Sequence, residues 1–229
     1  RALLVSYVVT ALFLLLTAAL VYRAGLDESK VQNLQIQILN NTRLLAQKEV
    51  LEGTDLVIQL DFPPYTWPKE AEQNFINYIN EGRGGWIGFH HATLLGDFDG
   101  YPLWQWFSDF MGGIRFQNYI APLADGTVIV EDKEHPVMKG VDASFVVQDD
   151  EWYTYDKSPR PNVRVLAHVD ESTYTPASAV KMGDHPVVWV NEGKAARNVY
   201  FQMGHSPKLF QSDDFTMMLS NAIRWTLKK

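Results

Sequence analysis

The stretch Gly84-Gly85-Trp86-Ile87-Gly88-Phe89-His90-His91-Ala92-Thr93 decides the fold. Its apolar part, Trp86 to Phe89, reads as a strand, and the strand runs into two adjacent histidines. In an open α/β sheet, ligands bind where loops leave the carboxyl ends of the strands. A strand ending in Gly-x-His-His-Ala therefore brings imidazoles to the working edge. The spacing is that of a nucleophile elbow, Gly-x-Nuc-x-Gly, in which small residues let the backbone turn tightly. His90 stands in the nucleophile's place and Ala92 in the second small position. Histidine is a poor acyl-transfer nucleophile but a good acid, base or ligand.

Upstream, strands and helices alternate. Residues 55–60 form an expected strand that ends in the turn-rich Phe62-Pro63-Pro64. Pro68 opens an amphipathic helix over 69–81 with Ala71, Phe75, Tyr78 and Ile79 on its apolar face. Before these, 34–39 alternates as a strand, and 43–51 follows as a short helix stopped by Gly53. Residues 2–21 carry only Ser6, Tyr7, Thr10 and Thr17 as interruptions, a run long enough to span a bilayer, with Arg1 and Arg23 as flanks. The same run fits a buried first strand, 2–8, followed by a buried helix, 10–24. A β-α-β-α-β-α-β order needs that strand, so strand plus helix is the expected reading and a membrane anchor its rival.

Downstream, the pattern predicts a helix over 103–111 and strands over 127–130, 145–147, 163–167, 187–190 and 198–202. A closing helix over 213–227 buries Phe215, Met218, Leu219, Ile223 and Trp225. With no repeat or linker between the halves, one α/β domain over 1–229 is expected, doubly wound, its sheet mostly parallel and its helices on both faces.

Composition narrows the function classes. A formal charge of −7 and a pI near 5.3 argue against nucleic acid as a partner. The chain has no cysteine, which excludes disulfides, thiolate zinc sites and cysteine nucleophiles. Seven Trp and ten Tyr supply faces that stack on sugar rings as well as fill cores. The lack of cysteine and the absence of an initiator Met lean towards export, periplasmic or secreted.

By its glycine-rich strand and histidines, the chain resembles the ThuA-like family, named for trehalose utilisation. The resemblance runs from about Asp55 to the C-terminus in ordered blocks. These are 84–92, Glu134-His135-Pro136-Val137, Asp150-Glu151-Trp152-Tyr153, Val165-Leu166-Ala167 and Asp184-His185-Pro186-Val187-Val188-Trp189. Asn198-Val199-Tyr200-Phe201, Gly204-His205-Ser206-Pro207 and Asn221-Ala222-Ile223-Arg224-Trp225 complete the series. The resemblance implies a class I glutamine amidotransferase-like fold, itself flavodoxin-like, and a role in carbohydrate metabolism with a small-molecule sugar as partner. One departure stands out: where family members carry a Gly/His loop after the first strand, this chain has Ser6-Tyr7-Val8-Val9-Thr10.

In the fold so implied, a histidine after a late strand faces the elbow, and His205 occupies that place. Glu151, beside an aromatic pair, is the third member, because partial desolvation can make a carboxylate basic. His90, Glu151 and His205 are thus the expected catalytic residues and the candidate ligands of a divalent metal ion. His91, Trp152, Tyr153, Asp184 and His185 are the expected substrate-binding residues. His135 and His185 each precede a proline, which fits a loop-shaping role, and the pair Asp149-Asp150 reads as solvated charge. Hydrolysis or isomerisation fits such a site, whereas amide transfer lacks its thiol. A non-catalytic sugar-binding or scaffold module is the alternative.

Overall fold

Three parallel strands carry the histidine turn to one end of the sheet. The structure, a computed structural model, describes residues 42–60 and 62–227. Its strands are β1 (Leu56–Gln59), β2 (Gly85–Phe89), β3 (Phe116–Tyr119), β4 (Ala124–Val130), β5 (Ser144–Asp150), β6 (Tyr153–Tyr155), β7 (Arg164–Thr175), β8 (Pro186–Val190) and β9 (Asn198–Phe201). Helices are α1 (Lys48–Glu52), α2 (Lys69–Asn80), α3 (Gln105–Phe110) and α4 (Asp213–Thr226). Seven strands form one sheet in the order β1-β2-β9-β8-β7-β4-β5, and β3 pairs with β6 in a separate ribbon.

The expectation of a mostly parallel sheet needs correction for the described residues. β1, β2 and β9 are parallel, but β9–β8, β8–β7, β7–β4 and β4–β5 are all antiparallel. The reason lies in the connections. A parallel return needs a crossover of about a dozen residues or more, usually a helix. The links from β7 to β8 and from β8 to β9 contain no helix, so the chain turns back on itself. β3 and β6 were not foreseen, and the strand expected over 163–167 extends as far as Thr175. The expected strand 2–8, helix 10–24 and strand 34–39, with the anchor reading of 2–21, lie outside the described residues. Among those described, no helix is long and apolar enough to cross a membrane.

Helices do cover both faces of the parallel edge. On one face Trp86 meets Phe75 of α2 at 6.5 Å and Phe110 of α3 at 5.1 Å between ring centroids. Trp189 and Tyr200, register partners on β8 and β9, continue that face at 4.4 Å. On the other face Phe89 and Phe201, also register partners, lie 5.4 Å apart and both meet Phe215 of α4. The predicted apolar face of α2, Ala71, Phe75, Tyr78 and Ile79, is buried, as an i, i+4, i+7, i+8 stripe should be. α4 starts where Ser212 Oγ accepts the Phe215 N–H at 3.3 Å, with Asp213 and Asp214 in the first turn favouring its positive end.

Gly88 has a tertiary reason. A Cβ at that position would fall inside the Trp86 indole, which lies across it on the same strand face. The indole Nε1–H donates to Gln59 Oε1 at 3.2 Å, tying β2 to β1 beneath the working edge.

Candidate active site

Where β2 ends, the backbone tightens into a 3-10 turn over His90–Thr93. His90 sits at φ +30, a region that side chains other than glycine seldom adopt. Two hydroxyls hold it there. The His90 carbonyl accepts Thr93 Oγ1–H at 3.1 Å and the Tyr200 hydroxyl at 3.0 Å. Tyr155 joins the same buried hydroxyl cluster, 2.8 Å from Thr93 Oγ1. The imidazole is only 2% exposed at the residue level, and its Nδ1 lies 3.0 Å from the backbone carbonyl of Gln202 at the end of β9. A carbonyl can only accept, so Nδ1 carries the proton and Nε2 is the nitrogen left to react.

That Nε2 faces Glu151. Glu151 Oε2 lies 3.1 Å from His90 Nε2 and 3.5 Å from His205 Nδ1, so one carboxylate oxygen sits between two imidazoles. Burial pushes the Glu151 carboxyl up, but the hydrogen bond and charge of His90, the charge of His205 and a hydrogen bond from Tyr153 outweigh it, and the net direction is down. Glu151 is therefore a carboxylate. His205 is the open member, with 40% of its side chain exposed. His91 joins the group: one ring nitrogen from each of His90, His91 and His205 lies within 4.8 Å of the others. The three residues expected to be catalytic thus lie together, as does His91.

Asp150, read from sequence as solvated charge, is fully buried. Its Oδ2 accepts the Gly204 N–H at 2.9 Å, and its Oδ1 accepts those of His205 at 3.0 Å and Glu151 at 2.8 Å. Burial pushes this carboxyl up to about 6 against those three bonds. One side chain therefore sets the spacing between the Glu151 and His205 backbones. The only sequence signal for this role was its place beside Glu151.

The substrate-binding candidates divide. The Tyr153 ring stacks 4.0 Å from the His90 ring and belongs to the site; burial and the Glu151 charge push its phenol well up. Trp152, its neighbour, points the other way into the core and donates Nε1–H to the Ala124 carbonyl at 2.9 Å, so it has no face for a ligand. His185 is buried behind the site, with Nδ1 2.9 Å from Glu171 and Nε2 2.9 Å from the Tyr153 carbonyl. Gln202, which sequence reasoning missed, donates its amide N–H to that same carbonyl at 2.9 Å while its backbone holds His90. His135 accepts the Val137 N–H and caps a 3-10 turn, as its proline neighbour suggested.

Asp184 belongs to an exposed ion-pair network instead. Arg160 donates to Asp184 at 2.7 and 3.0 Å and to Glu131 at 2.8 and 2.9 Å. Hydrogen bonds from Arg160 hold both carboxyls below their ordinary values. A carboxyl lowered in the fold adds stability above its unfolded pKa and loses it as pH falls through the folded one. The melting temperature should therefore fall on acidification below the ordinary glutamate value of 4.5, and fall less steeply in Arg160→Leu. Melts across about pH 3–6 check this, and equal slopes would refute it. Exposure keeps the effect small.

Comparison with known proteins adds the family. The ThuA family model, described as trehalose utilisation, matches residues 16–226. A ThuA-like protein of Bacteroides uniformis ATCC 8492 is 33% identical, with 83% of this chain and 76% of that one covered, at a TM-score of 0.71. A ThuA-like protein of Parabacteroides merdae ATCC 43184 is 21% identical over 76% of this chain and 70% of that one, at a TM-score of 0.57. A cytoplasmic protein of Salmonella typhimurium LT2 shares 12% identity over 92% and 87% at a TM-score of 0.59. These last two likenesses show the fold. No curated protein matches the chain.

Proposed function

The chain belongs to the ThuA (trehalose utilisation) family, and on that premise we propose that it acts on a sugar or modified disaccharide by proton transfer at His90, Glu151 and His205, in an isomerase-type reaction. The observation that carries this is the single Glu151 oxygen held between two imidazole nitrogens. Glu151 stays ionised, and its one oxygen accepts from whichever of His90 Nε2 and His205 Nδ1 carries a proton during the reaction. His205, the exposed member, meets the substrate. As base it takes the proton from the carbon beside the sugar carbonyl, while the proton on His90 Nε2 passes through the Glu151 carboxylate to the carbonyl oxygen. The enediol so formed collapses in reverse on the neighbouring carbon, and atoms and charge balance without a co-reactant.

Two-carboxylate glycoside hydrolysis has less support. It needs a second carboxyl facing the substrate, and Asp150 gives its oxygens to backbone N–H groups. Three imidazoles and a carboxylate also suit a divalent cation of the zinc, iron or nickel kind, and the backbone anchor on His90 Nδ1 is one that ligating histidines commonly have. Such an ion, when bound, would polarise the sugar carbonyl, and His90, His91 and His205 are the residues that would hold it.

The test is deuterium uptake from D2O into disaccharides and their keto forms, followed by NMR with and without chelator. Exchange that survives chelation supports transfer by the side chains alone. Exchange lost on chelation and restored by added cation assigns the ion. Binding without exchange across the panel would move the assignment to a sugar-binding module.

A further inference from the structure

The geometry points to a sugar-ring subsite on a row of aromatic side chains that leads from the protein surface to the histidine cluster. This inference rests on the reading of that cluster as a carbohydrate site. The row begins at Tyr101, which is 49% exposed. Tyr65 follows at 6.0 Å between centroids, then Phe98 at 5.1 Å, Phe116 at 6.1 Å and Tyr153 at 4.9 Å. Tyr153 in turn stacks on His90 at 4.0 Å. Tyr65, Phe98 and Phe116 are half-buried, with part of each ring open.

Two features mark the row as built. First, Tyr65 and Phe98 come from the loops that leave the carboxyl ends of β1 and β2, the edge that also carries His90. Second, the backbone accepts strain to present the rings. Phe98 and Tyr101 exchange both N–H···O bonds, at 3.1 and 2.7 Å, across a two-residue turn with Asp99 at φ +53 and Gly100 at φ +83. Such a turn, with both central residues left-handed, puts the flanking side chains on one side. Nothing lies within 4 Å of a Cβ placed on Gly100, so the glycine serves the conformation and not a close contact. The loop is fastened behind by the Phe116 N–H to the Leu95 carbonyl at 2.9 Å and by the Leu103 N–H to Asp97 at 3.0 Å.

The ligand class follows from this chemistry. The apolar C–H face of a pyranose stacks on such rings, while the exposed Asp97–Arg115 pair, 3.4 Å apart, offers charged groups to hydroxyls. Tyr153 and His90 are themselves buried, so the ligand lies on the open rings of Tyr101, Tyr65 and Phe98 and meets the cluster at exposed His205, which suits a substrate of two or more sugar rings.

The test is calorimetric titration of trehalose, maltose and glucose into the full chain. Wild type is expected to bind the disaccharides more tightly than glucose. The double variant Tyr65→Ala/Tyr101→Ala should lose about tenfold or more for the disaccharides and less for glucose. Tyr119→Ala, which removes an exposed tyrosine outside the row, should bind as wild type does. If the double variant melts below wild type, Tyr101→Ala alone decides, since that ring is largely open. Unchanged disaccharide affinity in the Tyr variants would overturn the subsite and leave the histidine reading standing. Failure of wild type to bind any of the three sugars would overturn both.

Discussion

His205→Ala is expected to lower proton exchange into the substrate by roughly 10²–10⁴-fold, the range in which a positioned acid or base contributes. The side chain is 40% exposed, so its loss removes chemistry without opening the core. Melting should stay within about 0.5 kcal/mol of wild type, as for surface changes away from special features. His168→Ala is the matched control, because that ring pairs with Glu131 in the ion network rather than with Glu151. The exchange rate of each purified variant by NMR is the measurement. Wild-type exchange in His205→Ala would remove the residue from the reaction, and equal losses in both variants would point to a general defect.

Gly88→Ala should destabilise the fold by about 1–2 kcal/mol. The new methyl would overlap the Trp86 indole, and overpacking of this kind costs about 1–3 kcal/mol, sometimes more. Relief of glycine's backbone entropy offsets only about 0.5–1 kcal/mol. The indole has no easy retreat. It is fully buried and bounded by Phe75, Phe107 and Phe110. The expected result is a melting temperature lower by about 2–8 °C for a domain of this size. Trp86→Phe in the Gly88→Ala background should recover part of the loss, because the smaller ring vacates the space the methyl enters. If the two changes simply add, the overlap is not the cause.

Much of the site was legible because its residues lie where strands end. His90 follows β2, His205 follows β9 and Glu151 follows β5. His90 was readable as a polar residue after an apolar run, Glu151 as a carboxylate beside an aromatic pair, and His205 from the place the family resemblance implies. What surrounds them was not. Asp150 looks like its neighbour Asp149 in a run of acids, yet Asp150 is buried against Gly204 and His205 while Asp149 pairs with Lys208 at the surface. Trp152 and Tyr153 are adjacent aromatics, and only the pleat sends one into the core and the other against His90. Asp184 and His185 are likewise neighbours with opposite fates, one in an ion network and one buried behind the site.

By itself the sequence determined the local elements: the apolar runs of β2, β8 and β9, the buried stripes of α2 and α4, and the His-His turn. Periodicity, capping and glycine placement act within a few residues, so they can be read along the chain. Only the tertiary structure decided that four pairings of the seven-stranded sheet run antiparallel, that His91 joins His90 and His205 within 4.8 Å, and that Tyr65 and Phe98 share one aromatic row. Those depend on which distant segments pair and on which way each side chain faces, and a strand shifted by one residue would turn its side chains to the other face.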